Sequence, residues 1–302
     1  MLKQSSDSLP APFQRRSLSL PDGIMHAIVS GDREADPAIV FVHANGFNAR
    51  TYLPLLQPLA STYDVMSLDM RGHGRTDLPT QERGKNWYVF REDLIKVLSG
   101  FSTPPVLIGH SMGGTASVLA AAKRPDLISR VIAFDPPILP RLLQWGMRFG
   151  LIPMRSRAKH PLVRGALSRR REFDSREAAF QRYAGRRPFI SWQDGFLQNY
   201  LADGLQQHGE QVVLSCHPAW EAHNYTAHGH DIWGALRRLK TPTLLIGGDG
   251  PGVVLRNKTL LRLGALNTQI QTRHVDSSSH FLPMENPDLA QSLIRNFIKD
   301  QT

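Results

Sequence analysis

Short β-branched, apolar segments alternate with amphipathic segments along two stretches of the chain. A short apolar run bounded by turn-forming residues is typical of a strand buried in a parallel sheet, and the amphipathic segments have the spacing of helices that cover such a sheet. The pattern predicts strands at 16–20, 25–29, 38–43, 64–69, 106–109, 130–135, 243–247 and 269–275. It predicts helices at 51–61, 87–99, 112–123, 253–263 and 287–299. This alternation indicates an α/β fold built on a parallel sheet.

The alternation stops between residues 135 and 241. The first part of that stretch has the pattern of amphipathic helices rich in Arg, Trp and Phe, and the chain from 217 to 230 has an irregular pattern. A sheet that is interrupted by a helical insertion and then resumed is the simplest account of this order. The predicted domains are a flexible tail (1–15), an α/β core (16–136 and 237–302) and a mainly helical cap (137–236).

The composition excludes several classes of protein. The chain has 302 residues, of which 41% are hydrophobic, so it can bury a substantial core and is not expected to be disordered. Its apolar runs are far shorter than the ~20 residues of a membrane-spanning helix, and its first residues lack the apolar stretch of a signal peptide. The single cysteine, Cys216, cannot form an internal disulfide or a thiolate cluster. These features predict a cytoplasmic protein.

The positive charge of the chain is concentrated in one segment. The chain has 36 Lys and Arg against 26 Asp and Glu, a net charge of +10. Residues 141–190 hold thirteen Lys and Arg but three acids, so this part of the cap carries the whole excess. Three interpretations stay open: a solvated face, a surface that binds anionic lipid, and a field that steers acidic substrates. No nucleic-acid-binding motif accompanies the basic residues, so no nucleic-acid partner is expected.

The sequence Gly-His-Ser-Met-Gly at 109–113 carries the strongest chemical signal in the chain. It fits the pattern G-x-S-x-G, follows an apolar run at 105–108 and precedes a helix-forming segment. A serine between a strand and a helix lies on a tight turn that exposes its hydroxyl group, and the N-terminus of the helix directs its positive end toward that group. The motif therefore predicts Ser111 as a nucleophile.

Together with three further motifs, this serine turn resembles the α/β-hydrolase superfamily over residues 16–298. His-Ala-Asn-Gly-Phe at 43–47 resembles the loop after the third strand of that fold, and Asp-Met-Arg-Gly-His-Gly at 69–74 resembles its D-x-R-G-x-G turn. Ser-His-Phe-Leu at 279–282 resembles its catalytic-histidine loop. The resemblance implies a mostly parallel eight-stranded sheet flanked by helices, with a helical cap inserted after the sixth strand.

The resemblance also implies a catalytic triad. A serine hydroxyl group needs a base to accept its proton, and His280 matches the superfamily's base, which later acts as an acid. The superfamily's usual acid position after the seventh strand falls on Pro251, beside Asp249. Some members take the acid from the end of the sixth strand, where this chain has Asp135. Asp135 is the favoured acid and Asp249 is the alternative.

Two backbone N–H groups should stabilise the oxyanion that forms during such a reaction. By analogy with the superfamily, one belongs to Met112, directly after the nucleophile, and the other to Asn45. Phe47 is the alternative to Asn45, because this loop has His-Ala-Asn-Gly where many members have His-Gly. Apolar residues of the cap are candidates for an acyl pocket, first among them Trp145, Phe149, Phe189 and Trp192.

The function that the resemblance implies is hydrolysis of a carboxylic ester through an acyl-enzyme, as in esterases and lipases. The partner expected is a small acyl ester, and an anionic lipid surface is a further candidate through the basic cap. The fold also hosts thioesterases, lactonases, C–C bond hydrolases that act on meta-cleavage products, and non-catalytic binding proteins, which stay open as alternatives. No cofactor is implied. His228 and His230 lack a third ligand at a recognisable spacing, so no metal site is predicted.

Overall fold

A computed structural model describes residues 8–32, 35–82 and 84–299 of the chain. The strands of the described part are β1 (Gln14–Leu20), β2 (Gly23–Val29), β3 (Ile39–Val42), β4 (Val65–Leu68), β5 (Val106–His110), β6 (Arg130–Phe134), β7 (Glu172–Phe173), β8 (Leu205–His208), β9 (Gln211–Leu214), β10 (Thr243–Gly248) and β11 (Ile270–Val275). Eight of them form one sheet in the order β1-β2-β4-β3-β5-β6-β10-β11. β2 is antiparallel to both of its neighbours, and the other adjacent pairs are parallel. The predicted mostly parallel eight-stranded sheet is confirmed.

Helices flank this sheet and form most of the segment inserted after β6. They are α1 (Leu53–Leu56), α2 (Tyr88–Leu98), α3 (Met112–Lys123), α4 (Arg141–Arg148), α5 (Met154–Ala158), α6 (Pro161–Leu167), α7 (Arg176–Ala184), α8 (Phe196–Gly204), α9 (Pro218–Thr226), α10 (Ile232–Arg238), α11 (Asn257–Gly264), α12 (Leu282–Glu285) and α13 (Pro287–Lys299). Short 3-10 helices lie at Ala49–Tyr52, Pro125–Leu127 and Phe189–Ser191. No helix of the described residues is both long and apolar enough to cross a membrane.

The alternation of side chains along each strand divides the core into two layers. On β3, Val40 and Val42 pack on one face with residues of α2, α3 and α10, while Ile39 and Phe41 pack on the other face with residues of α1 and α13. All four are buried. Since both faces of a parallel sheet are covered, its strands are apolar throughout rather than alternately polar, as the short apolar runs predicted.

The inserted segment contains a small sheet that the hydrophobic pattern did not predict. β7, β9 and β8 form an antiparallel sheet in that order. These strands are two to four residues long, too short for a period of two to stand out from the surrounding helices. The predicted irregular chain at 217–230 is also wrong in part, because α9 occupies its centre. α10 packs with the core beside α3, so the chain returns to the core before residue 237.

Two predicted helices differ from the observed ones. The helix predicted at 51–61 is reduced to a 3-10 turn and α1, which ends at Leu56. Pro58, two residues further on, has no N–H group with which to continue the helix. The helix predicted at 253–263 begins four residues later, at Asn257. The chain before it is held by the carboxylate of Asp135, which accepts from the backbone N–H groups of Val254 and Leu255.

The described part of the predicted tail lies against the core. Residues 1–7 lie outside the described part of the chain. Phe13 is buried in the α1 and α13 layer, and β1 begins at Gln14 rather than at residue 16. The carbonyl groups of Ser8 and Ala11 accept hydrogen bonds from Arg50 and from the side chain of Gln57. Burial of this apolar ring and these hydrogen bonds together attach the segment to the core.

Candidate active site

Ser111 lies at the carboxyl end of β5, immediately before the first residue of α3. Its backbone has φ 53° and ψ −117°, a conformation that is rare for a residue with a side chain and stores about 1–3 kcal/mol of strain. The N–H group of Ser111 donates to the carbonyl oxygen of Phe134 at 2.8 Å, and its own carbonyl group accepts from Thr115 at 3.0 Å. Its side chain is partly exposed and makes no hydrogen bond to another described residue. The turn therefore presents a free hydroxyl group at the N-terminus of a helix.

Two glycines allow the chain to turn so sharply at this serine. A Cβ atom on Gly113 would collide with the carbonyl group of Val42 in the neighbouring strand. A Cβ atom on Gly109 would collide with the backbone of Gly113 itself. The spacing of the glycines around Ser111 is thus required by the close approach of three backbone segments.

His280 and Asp135 are 145 residues apart in the sequence and are brought together at the carboxyl ends of β11 and β6. Asp135 follows β6 and is 5% exposed, and its Oδ2 lies 2.5 Å from Nδ1 of His280. The other carboxylate oxygen accepts from the N–H group of Leu255 at 2.6 Å, and Val254 donates to both. His280 is held in turn by its own N–H group, which donates to Pro251. The arrangement fixes the carboxylate and orients the imidazole ring of His280. Nδ1 of the ring contacts Asp135, and Nε2 is the nitrogen that does not.

Asp249, the alternative acid, lies elsewhere. Its side chain is exposed, and its Oδ1 accepts from the N–H group of Ser277 at 2.7 Å. Potential ligand atoms of Asp249, His274 and Asp276 lie within 4.8 Å of one another. His274 is partly buried and contacts Asp276 through Nδ1 at 3.0 Å, while its buried Nε2 has no partner among the described residues. The two carboxylates are exposed, and exposed acidic groups commonly lie beside a histidine without an ion. We therefore assign no ligand to this cluster.

The loop after β3 presents one backbone N–H group that is not used within the described chain. The N–H of Ala44 donates to the hydroxyl oxygen of Tyr52, that of Gly46 to Nε2 of His73, and that of Phe47 to the carbonyl group of Ala44. Asn45 has no such bond. The N–H of Met112, at the start of α3, is also without a partner among the described residues. The predicted oxyanion donors Asn45 and Met112 are thus both available, whereas the alternative, Phe47, is engaged in a turn.

Buried side chains brace this loop from two directions. His43 holds it through Nδ1, which donates to the carbonyl group of Ala44 at 2.7 Å, and through Nε2, which accepts from Met70 at 2.9 Å. The side-chain amide of Asn45 donates to the carbonyl group of Glu221 and accepts from Asn224, both on α9. The loop is therefore tied both to the core and to the inserted segment.

A chain of hydrogen bonds that sequence reasoning missed links the three loops of the site. Nε2 of His110 lies 2.8 Å from the carbonyl oxygen of His280, and Nδ1 of His110 lies 2.7 Å from the hydroxyl group of Tyr52. A carbonyl oxygen only accepts, so Nε2 carries the proton. Burial lowers the pKa of the His110 imidazole well below its usual value, so Nδ1 of the neutral ring accepts from Tyr52. The Tyr52 oxygen then accepts from Ala44.

We call this chain of hydrogen bonds, Ala44–Tyr52–His110–His280, the relay. Each member donates to the next, from the N–H group of Ala44 to the carbonyl oxygen of His280. The relay joins the loop after β3, the residue before the nucleophile and the backbone of the base. His110 could have been singled out from its place in the motif, but no sequence signal points to Tyr52, which approaches it from the 3-10 turn at Ala49–Tyr52.

The four aromatic residues predicted to bind substrate fall into two pairs. Phe189 and Trp192 are buried in an aromatic cluster that includes Phe47 and Phe281, with ring centroids 5.4 Å apart for Phe47 and Trp192 and 5.7 Å apart for Trp192 and Phe281. Phe281 follows His280 directly, so this pair borders the site. Trp145 and Phe149 lie on or just after α4 with more than half of their surface exposed. No ring contact within the described residues connects them to this cluster, so the structure does not bring them to the site.

The comparison with protein families agrees with this geometry. A model described as the alpha/beta hydrolase family matches residues 39–290, which include Ser111, Asp135 and His280. The chain belongs to the alpha/beta hydrolase family.

This hydrolase is similar to proteins of several activities. The 2-(acetamidomethylene)succinate hydrolase of Mesorhizobium japonicum is 26% identical over 278 residues, which cover 88% of this chain and 90% of that protein. A crystal structure of E-2-(acetamidomethylene)succinate hydrolase matches with a TM-score of 0.78 at 23% identity and covers 95% of this chain and 99% of that one. An esterase of M. tuberculosis matches with a TM-score of 0.71 at 19% identity, over 97% and 94% of the two chains. At these identities the structural matches show the fold alone.

The buried histidines of the hydrolase make its stability depend on pH. Burial lowers the pKa of His73 and His228 to about 4. It also lowers the pKa of three further histidines well below the usual range, namely His43, His110 and His230. In the unfolded chain these five groups titrate near pH ~6.5, so unfolding takes up protons between that pH and the lower values of the folded state. Two carboxyl groups act in the opposite direction, since burial raises the pKa of Asp69 to about 7 and that of Glu221 above its usual value.

We expect the free energy of unfolding to fall as the pH decreases from 7.5 to 5.5. Five imidazoles outweigh two carboxyl groups, and the loss should be about 3–5 kcal/mol because each group contributes up to about 1.4 kcal/mol per pH unit. Urea unfolding followed by circular dichroism at the two pH values measures the change. A free energy that is constant or higher at pH 5.5 would contradict the assignment of neutral, buried imidazoles.

Proposed function

We propose that this protein is a serine hydrolase that cleaves a carboxylic ester through an acyl-enzyme. The observation that carries the proposal is the Asp135–His280 pair at 2.5 Å, which lies at the same edge of the sheet as the partly exposed side chain of Ser111. In parallel α/β sheets, ligands bind at the carboxyl ends of the strands, where Ser111 and Asp135 both lie. The membership of the chain in a family of hydrolases supports the same conclusion.

In the proposed reaction, Ser111 Oγ attacks the carbonyl carbon of the ester and transfers its proton to Nε2 of His280. The tetrahedral intermediate collapses when the C–O bond to the leaving alcohol breaks and His280 returns the proton to that alcohol. A water molecule then repeats the sequence on the acyl-enzyme, which releases the acid and restores the Ser111 hydroxyl group. Asp135, bonded to Nδ1, keeps the proton on that nitrogen and stabilises the imidazolium that forms at each step.

The N–H groups of Asn45 and Met112 are proposed to bind the oxyanion. Each such donor contributes about 3–4 kcal/mol to stabilisation of the transition state in serine hydrolases. Asn45 is held for this role by its side-chain bonds to α9, and the Ala44 and Gly46 N–H groups on either side of it are both occupied.

The aromatic cluster around Trp192 is proposed to receive the acyl part of the substrate. Trp192 packs against Phe47, Phe189 and Phe281, an apolar wall beside His280. Its indole N–H group is buried and has no hydrogen-bond partner among the described residues. Because an unpaired buried donor is unfavourable by about 1–3 kcal/mol, a substrate oxygen that accepts from it would be selected.

The proposal is tested by a panel of p-nitrophenyl esters of increasing chain length, assayed for release of p-nitrophenol. We expect saturable hydrolysis of at least one ester and a higher KM for Trp192→Ala than for the wild type. If folded protein hydrolyses none of these esters, the proposal of ester hydrolysis is rejected, and the other reactions that this fold catalyses become the candidates.

A second candidate is hydrolysis of 2-(acetamidomethylene)succinate or a related acid. It is favoured by the match to the Mesorhizobium japonicum enzyme, which covers nearly the full length of both chains. The same Ser111, His280 and Asp135 would serve either reaction. Incubation with that compound, with its loss followed by chromatography and p-nitrophenyl acetate as the reference substrate, decides between the two activities.

The relay predicts a defined effect of Tyr52→Phe. Removal of the hydroxyl group leaves Nδ1 of His110 and the N–H group of Ala44 without partners, so we expect the loop after β3 and the backbone of His280 to lose their common anchor. The change should lower kcat about tenfold with KM changed less than about twofold, since it misplaces catalytic groups rather than substrate contacts. Tyr63→Phe, which removes a partly buried hydroxyl outside the relay, is the matched control. Equal kcat in the two variants would show that the relay does not position the site.

A further inference from the structure

The helix α4 has its apolar face turned outward. Leu142, Trp145 and Phe149 are spaced as one side of a helix, and they are 86%, 56% and 57% exposed. Leu151, one residue beyond Gly150, is 63% exposed. We call these four side chains the α4 face. Most surface helices of globular proteins bury their apolar side, so the α4 face is the reverse of the usual arrangement.

The inward side of α4 is correspondingly polar or small. Gln144 and Gly146 are its buried residues, and the Gln144 amide donates to the carbonyl group of His230 at 2.8 Å. The end of the helix is fixed by Arg157, whose guanidinium donates to the carbonyl groups of Met147 and Ile152. Specific hydrogen bonds therefore set the orientation of α4. In that orientation its apolar side chains are exposed to solvent.

The segment that contains the α4 face has an extreme charge. Residues 136–171 include no Asp or Glu and nine Lys or Arg. Arg141 and Lys159 are exposed, and Arg148 lies with its guanidinium carbon 5.6 Å from the centroid of the Phe149 ring. Arg148 is also paired with Asp231 at 3.0 Å, so its charge is partly balanced. Two cations, Arg141 and Arg148, thus lie on the same helix as the exposed apolar side chains, and Lys159 follows in the same acid-free segment.

These charges decide what covers the α4 face. A second copy of the chain would bring two acid-free, basic segments together and carries the same net charge of +10, which opposes association. Nucleic acid satisfies the cations but offers no environment for Leu142 and Leu151. The interface of an anionic bilayer accepts both kinds of group, because aromatic and aliphatic side chains enter the headgroup region while Arg and Lys contact lipid phosphates.

We propose that the α4 face docks this protein on an anionic membrane surface. α4 lies in the plane of the interface, with Leu142, Trp145, Phe149 and Leu151 among the headgroups and upper acyl chains. Arg141, Arg148 and Lys159 lie at the level of the phosphates. The attachment is peripheral and reversible, since one short helix face and a few cations supply it. The proposal does not depend on the hydrolytic activity proposed above.

The test is sedimentation with vesicles of two compositions: phosphatidylcholine alone, and phosphatidylcholine with about one-third phosphatidylglycerol. We expect the wild type to bind the anionic vesicles, to bind the neutral ones at least about tenfold more weakly, and to be released by high salt. Leu142→Ser combined with Trp145→Ser should weaken binding to anionic vesicles about tenfold or more. Leu261→Ser, which replaces a residue 67% exposed on α11, is the control and should bind like the wild type.

Three results would overturn the proposal. The first is wild-type protein that stays in the supernatant when anionic vesicles sediment, because such a protein does not bind them. Equal binding of the Leu142→Ser, Trp145→Ser variant and the Leu261→Ser control would show that charge alone, or another surface, is responsible. A dimer of the wild type that becomes a monomer in the double variant, measured by analytical ultracentrifugation, would assign the α4 face to a second copy. Unchanged melting temperatures of the variants exclude misfolding as the cause of lost binding.

Discussion

Ser111→Ala is expected to lower kcat for ester hydrolysis by about 10⁵-fold, the largest effect of any single substitution in this protein. The variant loses the oxygen that we propose forms the acyl-enzyme, while substrate binding and the N–H groups of Asn45 and Met112 should remain. Ala has the same Cβ atom as Ser, so the strained backbone at φ 53° is unchanged. The melting temperature should therefore stay within about 2 °C of the wild type.

The measurement is a comparison of kcat for the best p-nitrophenyl ester in purified wild type, Ser111→Ala and Ser99→Ala. Ser99 is a suitable control because it lies at the end of α2, exposed, with its hydroxyl group bonded to the carbonyl group of Ile95. The control should keep full activity. Retention of most activity in Ser111→Ala would remove Ser111 from the reaction.

Asp135→Asn is expected to lower kcat by about 10⁴-fold. The Asn amide group can donate to Nδ1 of His280, which favours the tautomer with its proton on Nε2, where the base must instead accept the proton of Ser111. The remaining side-chain oxygen can still accept from Leu255 and Val254, so the loop before α11 stays in place. The loss should therefore appear in kcat with little change in stability.

Asp249→Asn is the matched control for this change. Asp249 is exposed and accepts from the backbone of Ser277 rather than contacting His280, so kcat should stay within about twofold of the wild type. A large loss in Asp249→Asn with a small loss in Asp135→Asn would place the acid after the seventh strand of the fold, β10.

The positions of the strands along the chain follow from features that the sequence shows directly. Each buried strand is a short apolar run, and the motifs at 43–47, 69–74, 109–113 and 279–282 fix which strand ends carry the functional loops. The predicted helix at 253–263 shows where such reasoning fails. Its pattern is helical, but Val254 and Leu255 are bound by the carboxylate of Asp135, about 120 residues away, and the helix begins only at Asn257. Contacts of that range leave no local trace in the pattern.

The difference between local motifs and contacts over a long sequence separation also explains which residues of the site were predicted and which were missed. Ser111 and His280 lie in local motifs, whereas the partner of His280 is decided by which of two distant acids reaches Nδ1. Tyr52 enters the site through its contact with His110, and nothing around it in the sequence distinguishes it from a core tyrosine. Trp145 and Phe149 show a further limit: periodicity gives the apolar side of α4, but Gln144 and its bond to His230 decide that this side faces outward.

The central claim is that Ser111 is a nucleophile activated by His280. Intact mass spectrometry after treatment with a fluorophosphonate tests it without knowledge of the substrate, because Ser111 Oγ would displace fluoride from phosphorus and retain the phosphonyl group. We predict a single adduct on the wild type and none on Ser111→Ala. An unlabelled wild type that is shown to be folded, or an adduct that persists in Ser111→Ala, would contradict the claim.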